Sequence, residues 1–135
     1  MNKERIINIL SDIKKYLSDL EKIKIKNLND LKDINKYYAV SMILFSLLNR
    51  VIDLGQEIII SKNYGMPSTY KEIFKILCDR KIINDKMFLE FEKLVNLRNS
   101  LSHEYYRIDE KDIYNGLIKV NLIKQFVEVA KKEVK

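Results

Sequence analysis

Three glycines and one proline punctuate a chain of 135 residues. A protein of many strands needs turn after turn built on residues that tolerate unusual backbone angles. So few of them confines this chain to a small number of long helices. The apolar spacing agrees. Ile6, Ile9, Leu10, Ile13, Tyr16, Leu17, Leu20 and Ile23 recur at steps of three and four, one stripe of a helix over about residues 3 to 25. Asn27, Asn29 and Asp30 mark its end, and Asn29 or Asp30 can cap the next helix.

The second helix is expected over about residues 31 to 62. Its middle, Tyr37 to Leu48, carries no charge and is apolar nearly all round. A membrane span is the competing reading. Arg50, Asp53 and Glu57 interrupt the run before about twenty apolar residues accumulate, so a buried central helix is favoured. Tyr64-Gly65-Met66-Pro67-Ser68 reads as a turn. Thr69-Tyr70-Lys71-Glu72 reads as a capping box opening a short third helix, with Ile73, Phe74, Ile76 and Leu77 inward.

Asn84 can cap a fourth helix that turns Phe88, Phe91, Leu94, Val95 and Leu101 to the core. Asp109 can cap a fifth, with Ile113, Tyr114, Leu117, Ile118, Phe126 and Val127 on its stripe. No repeat, low-complexity tract or linker divides the chain. The expectation is one all-α domain over residues 1–135, a helical bundle with short connections.

An apolar fraction of 47% supports a core at this length without staples. Cys78 is alone, which removes any internal disulfide framework and points to an intracellular, cytoplasmic home. The charged start, Met1-Asn2-Lys3-Glu4-Arg5, is not a signal peptide. The net charge of +6 favours nucleic acid as a partner. The lysines are interleaved with acids, however, and no block of cations forms an arm.

The chemistry concentrates in Arg98-Asn99-Ser100-Leu101-Ser102-His103-Glu104-Tyr105-Tyr106, which holds the only histidine. Histidine can take and give a proton near neutral pH. Arginine offers a permanent, forked cation suited to phosphate. On a helix Asn99 and His103 share a face, while Arg98 and His103 are offset by about 140°. Asp53 or Glu57 of the central helix can hydrogen-bond Arg98 or His103 and orient it. A structural reading competes, because cations near a helix C-terminus favour the helix dipole. No second histidine, Cys-x-x-Cys or carboxylate cluster offers a metal site, so no cofactor or metal is expected. Metal-free RNA cleavage needs a base for the 2′-hydroxyl, an acid for the 5′-oxygen and a cation for the phosphate. One chain has one histidine, so this chemistry calls for a homodimer with a composite site on its axis.

The pattern Arg98-x4-His103-x-Tyr105, with Asn99 after the arginine, resembles the signature of the HEPN superfamily. It is most similar to the HepT toxins of HEPN/MNT toxin–antitoxin pairs. The Tyr64-to-Tyr70 turn, the Asp109 restart and the long helix carrying Arg50 and Asp53 fit the same resemblance, over nearly the whole chain. Ser102 departs from it, where a small apolar residue is common. The resemblance implies a four-helix up-and-down bundle with one extra short helix, forming a homodimer. It implies metal-independent RNase activity carried by Arg98 and His103 and supported by Asn99. Tyr105 would be the AMP acceptor for the cognate MNT nucleotidyltransferase antitoxin, and Asp53 would match a supporting acidic position. The alternative from the same family is a non-catalytic, partner-binding subunit of a nucleotidyltransferase complex.

Overall fold

Short polar side chains set the helix starts. Asn2, Asp33, Thr69, Asn84 and Asp109 each accept a backbone N–H from the first turn they precede. The computed structural model describes residues 2–134, and the expected span of 1–135 includes Met1 and Lys135, which lie outside them. Their order is α1 (Lys3–Ile23), α2 (Ile34–Lys62), α3 (Tyr70–Asp79), α4 (Asp85–His103), α5 (Glu110–Leu117) and α6 (Val120–Glu133). Single 3₁₀ segments cover Leu28–Lys32 and Tyr105–Arg107. No strand occurs among the described residues.

Four long elements make the bundle: α1, α2, α4 and the α5–α6 pair. Helix α3 is the short addition. Helix α2 is the axis of the packing and touches every other helix. Val40, Leu44, Leu47, Val51, Leu54 and Ile58 bury its core face. No helix among the described residues is long and apolar enough to cross a membrane. Gly55 lets α3 close on α2, because a Cβ there would meet Ile73 Cγ2 at 2.9 Å. Phe74, Phe91 and Phe126 then join α3, α4 and α6. Phe74 stacks on Phe91 at 4.5 Å, and Phe126 meets their edges at 5.9 and 5.0 Å. Fully burying each ring contributes about 1.5–3 kcal/mol.

Three sequence expectations shift. Helix α1 stops at Ile23 because Lys24 turns left-handed (φ 58°). Asn27 and Asp30 form a capping box on the 3₁₀ segment, so the cap of α2 is Asp33 and neither Asn29 nor Asp30. The box at Thr69 is also displaced: Thr69 caps the Glu72 amide, but the Glu72 carboxylate returns to the N–H and hydroxyl of Ser68.

The expected fifth helix is bent into α5 and α6. At the joint, the Lys119 N–H donates to the Gly116 carbonyl at 3.1 Å, a three-residue step that tightens the backbone. Lys119 also reaches from there to Glu90 of α4 at 3.3 Å. The bend turns Ile118 outward, so it is exposed rather than part of the stripe.

Candidate functional site

Helix α4 carries the motif in its last two turns. The Arg98 side chain leaves toward α2. Its Nε donates to Asn49 Oδ1 at 2.7 Å, and its Nη1 donates to Asn99 Oδ1 at 3.1 Å. Its guanidinium carbon lies 4.8 Å from the Tyr70 ring centre and 5.4 Å from that of Phe45. Two neutral amides fix the fork and two rings flank it. None of the ion pairs among the described residues includes Arg98. Two of its five N–H groups are occupied by protein, and its charge is not neutralised.

The orienting role expected of Asp53 or Glu57 falls to Asn49. Asp53 instead accepts from Arg50 at 3.0 Å, and Arg50 reaches on to Asp12 of α1 at 2.8 Å. Glu57 is buried against Arg5. The carboxylates of α2 therefore fasten α1, while the amide one turn before Asp53 holds the arginine. The sequence carried one signal for this. Asn49 is the polar residue that closes the uncharged run of α2, one turn after Phe45.

His103 is the last residue of α4 and is exposed. The helix stops there because Glu104 leaves helical angles (φ −138°, ψ 39°), although its N–H still donates to the Ser100 carbonyl at 2.8 Å. Arg98 and Asn99 are thus joined by a hydrogen bond, while His103 stands about 7.5 Å further along the axis and faces solvent.

Tyr105 and Tyr106 lie in the 3₁₀ segment after α4 and are similarly exposed, at 66% and 69%. Their rings meet edge-on at 6.1 Å. Their surroundings differ. Tyr105 lines a hollow of about 390 Å³ with Tyr37, Tyr38, Met42, Phe45 and Leu101, whereas Tyr106 lies under the Arg107 guanidinium at 5.7 Å. Tyr37 anchors this segment from α2 by donating its hydroxyl to the Ile108 carbonyl at 3.0 Å. Burial raises the phenol pKa of Tyr37, and nearby carboxylates, Glu110 foremost, add to the rise. Ile34, Tyr38 and Met42 continue the hollow as an exposed apolar strip on α2. No group of three His, Cys, Asp or Glu side chains gathers at ligand distance among the described residues.

Comparison with known proteins agrees with the helical fold. The mRNA nuclease HepT of Shewanella oneidensis is 24% identical over 130 residues, covering 95% of this chain and 97% of its own. A solved structure of a tri-AMPylated Shewanella oneidensis HEPN toxin in complex with MNT antitoxin superposes with a TM-score of 0.84 at 22% identity, covering 98% of this chain and 99% of that one. The cytosolic protein YutE of Bacillus subtilis superposes with a TM-score of 0.84 at 20% identity, over 98% of this chain and 90% of its own. The model of the family described as Ribonuclease HepT-like matches residues 6–130. The chain belongs to the HepT-like ribonuclease family.

Proposed function

We propose that this chain is the toxin of a HEPN/MNT pair, a metal-independent endoribonuclease that works as a homodimer and is silenced by AMP on Tyr105. The observation that carries the reading is the state of Arg98. Its guanidinium is held by Asn49 and Asn99, flanked by Tyr70 and Phe45, and left without a carboxylate. An arginine so fixed and uncompensated is suited to a phosphate whose charge grows in the transition state.

The exposed strip of Tyr38 and Met42 on α2 supplies the face for a second copy. Two copies joined there bring two arginines and two histidines to one cleft. One His103 takes the proton of the 2′-hydroxyl as that oxygen bonds to phosphorus. The second copy's His103, protonated, delivers its proton to the 5′-oxygen as the P–O5′ bond breaks. The products are a 2′,3′-cyclic phosphate and a 5′-hydroxyl, and the two Arg98 guanidinium groups carry the pentavalent phosphate. Asn99 supports the site by fixing Nη1.

An AMP on Tyr105 adds a phosphodiester and a nucleoside beside this cleft. The added negative charge and bulk oppose the entry of RNA. The AMPylated HEPN toxin among the structural neighbours supports regulation by AMP, and the exposure of Tyr105 beside the proposed cleft is the ground for assigning it there. Expression with and without the nucleotidyltransferase, followed by an RNA-cleavage assay and intact mass, tests the reading. Cleavage lost in His103→Ala and in the AMP-bearing protein supports it. A protein that never cuts RNA, yet still binds the nucleotidyltransferase, is the partner-binding subunit instead.

A further inference from the structure

On the side of α4 away from Arg98, a groove of about 630 Å³ separates α4 from α5. Its floor is set by Gly116, which brings α5 so close that a Cβ there would meet Leu97 Cδ2 at 2.6 Å. Lys93, Asn96 and Ser100 of α4 line one wall. Arg107, Asn115 and Lys119 line the remainder. On α4 the polar lining keeps one register: residues 93, 96 and 100 step by three and four along a single face, and His103 lies on the same face three residues beyond the end of the groove. From Lys93 to Ser100 the row is about 10 Å long, enough for about three stacked nucleotides at 3.4 Å each.

Two of the three cations of the groove are held loosely. Lys93 and Lys119 both reach Glu90 at 3.3 Å, and Arg107 reaches Glu104 at 3.5 Å. Lys93 and Arg107 are exposed, and pairs of this kind are worth little and exchange readily for another anion, whereas Lys119 is more enclosed beside Glu90. Asp112, an acid in the same lining, turns its carboxylate to the Asp109 amide at 3.0 Å. The Asn96 and Asn115 amides supply donors and acceptors of the sort that meet splayed base edges.

We infer that this groove is the track for single-stranded RNA, leading the strand along α4 toward His103. Lys93, Arg107 and Lys119 hold phosphates, and Asn96 and Asn115 meet bases. The inference rests on the ribonuclease reading above and adds to it the path of the substrate outside the scissile phosphate. The same groove explains why Arg107 stands so close after Tyr105: a charge placed on Tyr105 competes for the cation at the mouth of the track.

The test is binding of a fluorescent 2′-O-methyl RNA 12-mer, which has no free 2′-hydroxyl to attack, measured by anisotropy over a range of salt concentrations. Lys93→Ala and Arg107→Ala should each weaken binding about fivefold or more at low salt and reduce the slope of log K against log salt by about 0.7. Asn96→Ala with Asn115→Ala should weaken binding without changing the slope. Lys124→Ala and Lys131→Ala, in the lysine-bearing groove between α1 and α6, serve as controls and should change neither. Equal losses in the controls mean diffuse attraction to a basic protein and overturn the track. So does wild-type binding in every groove variant while RNA is still cut, an outcome that leaves the ribonuclease reading intact. Tighter binding of the matching duplex also overturns it. A wild-type protein that neither binds nor cuts RNA removes both proposals together.

Discussion

Arg98 Nε donates to Asn49 Oδ1 at 2.7 Å, so the cation of the motif is held by an uncharged residue of a different helix. The choice of an amide has a consequence for activity. Asn49→Ala should free the guanidinium, cut RNA cleavage about tenfold or more and cost about 1 kcal/mol of stability. Asn49→Asp should do the opposite to stability. It retains the acceptor and adds an ion pair, yet cleavage should fall further because the new charge repels phosphate. Cleavage rates read beside thermal melts separate the two. Parallel losses of stability and activity in both variants would sink the idea.

The proposed proton transfer makes His103→Ala the most severe change. It should abolish cleavage with the fold intact, because the side chain is exposed and bears no packing. Arg98→Ala should lower the rate by about two to three orders of magnitude, as for other lost donors to a charged transition state. EDTA should have no effect on the wild type. Activity that vanishes on chelation and returns with magnesium would exclude the acid–base scheme.

In the proposed homodimer the strip on α2 joins the two copies. Light scattering at micromolar concentration should give twice the 16.1 kDa of one chain. Met42→Asp, which places a charge in the strip, should give monomers and lose cleavage together, since each copy holds one histidine. A fully active monomer would refute the composite site.

Tyr105 and Tyr106 form a built-in control, equal in exposure and different in surroundings. With the nucleotidyltransferase present, Tyr105→Phe should remain toxic and gain no mass. Tyr106→Phe should be modified and silenced. If the Tyr105→Phe protein is neutralised without modification, inhibition comes from complex formation alone.

Tyr37 gives a pH dependence of stability. Burial raises its folded pKa, so the neutral phenol is the favoured form. The resulting stabilisation is complete below the unfolded value of about 10 and is lost as pH rises through the higher folded value. Stability should therefore decline on the alkaline side in the wild type. Tyr37→Phe should cost about 1 kcal/mol at neutral pH and remove that part of the decline. Denaturant melts from pH 8 upward measure both, and an unchanged alkaline slope in Tyr37→Phe would count against it.

Most of the helical frame could be read in the chain, because strong caps such as Asn84 and Asp109 stand before clear stripes. The bend at Ile118–Lys119 could not. The apolar period runs through it unbroken, and its cause is the close approach of Gly116 to Leu97, a tertiary contact. The same limit applies to the site. Arg98, Asn99, His103 and Tyr105 are legible as a local pattern. Asn49, Phe45 and Tyr70 join Arg98 only through folding, and Arg50 and Asp53 drew attention by charge although they serve the α1–α2 contact.

The 3₁₀ segment of Tyr105–Arg107 has no side-chain cap and no buried residue. Between α4 and α5 its ties are the Tyr37–Ile108 hydrogen bond, two backbone bonds and the exposed Arg107–Glu104 pair. Such a stretch opens at a small fraction of the free energy that unfolds the whole molecule. On the proposed function, a second enzyme that needs the Tyr105 hydroxyl inside its own active site would meet a strap that opens without unpacking α2 and α4. For that function the surface is thus deformable at the place a second catalyst would seize, and rigid where Arg98 would hold a phosphate.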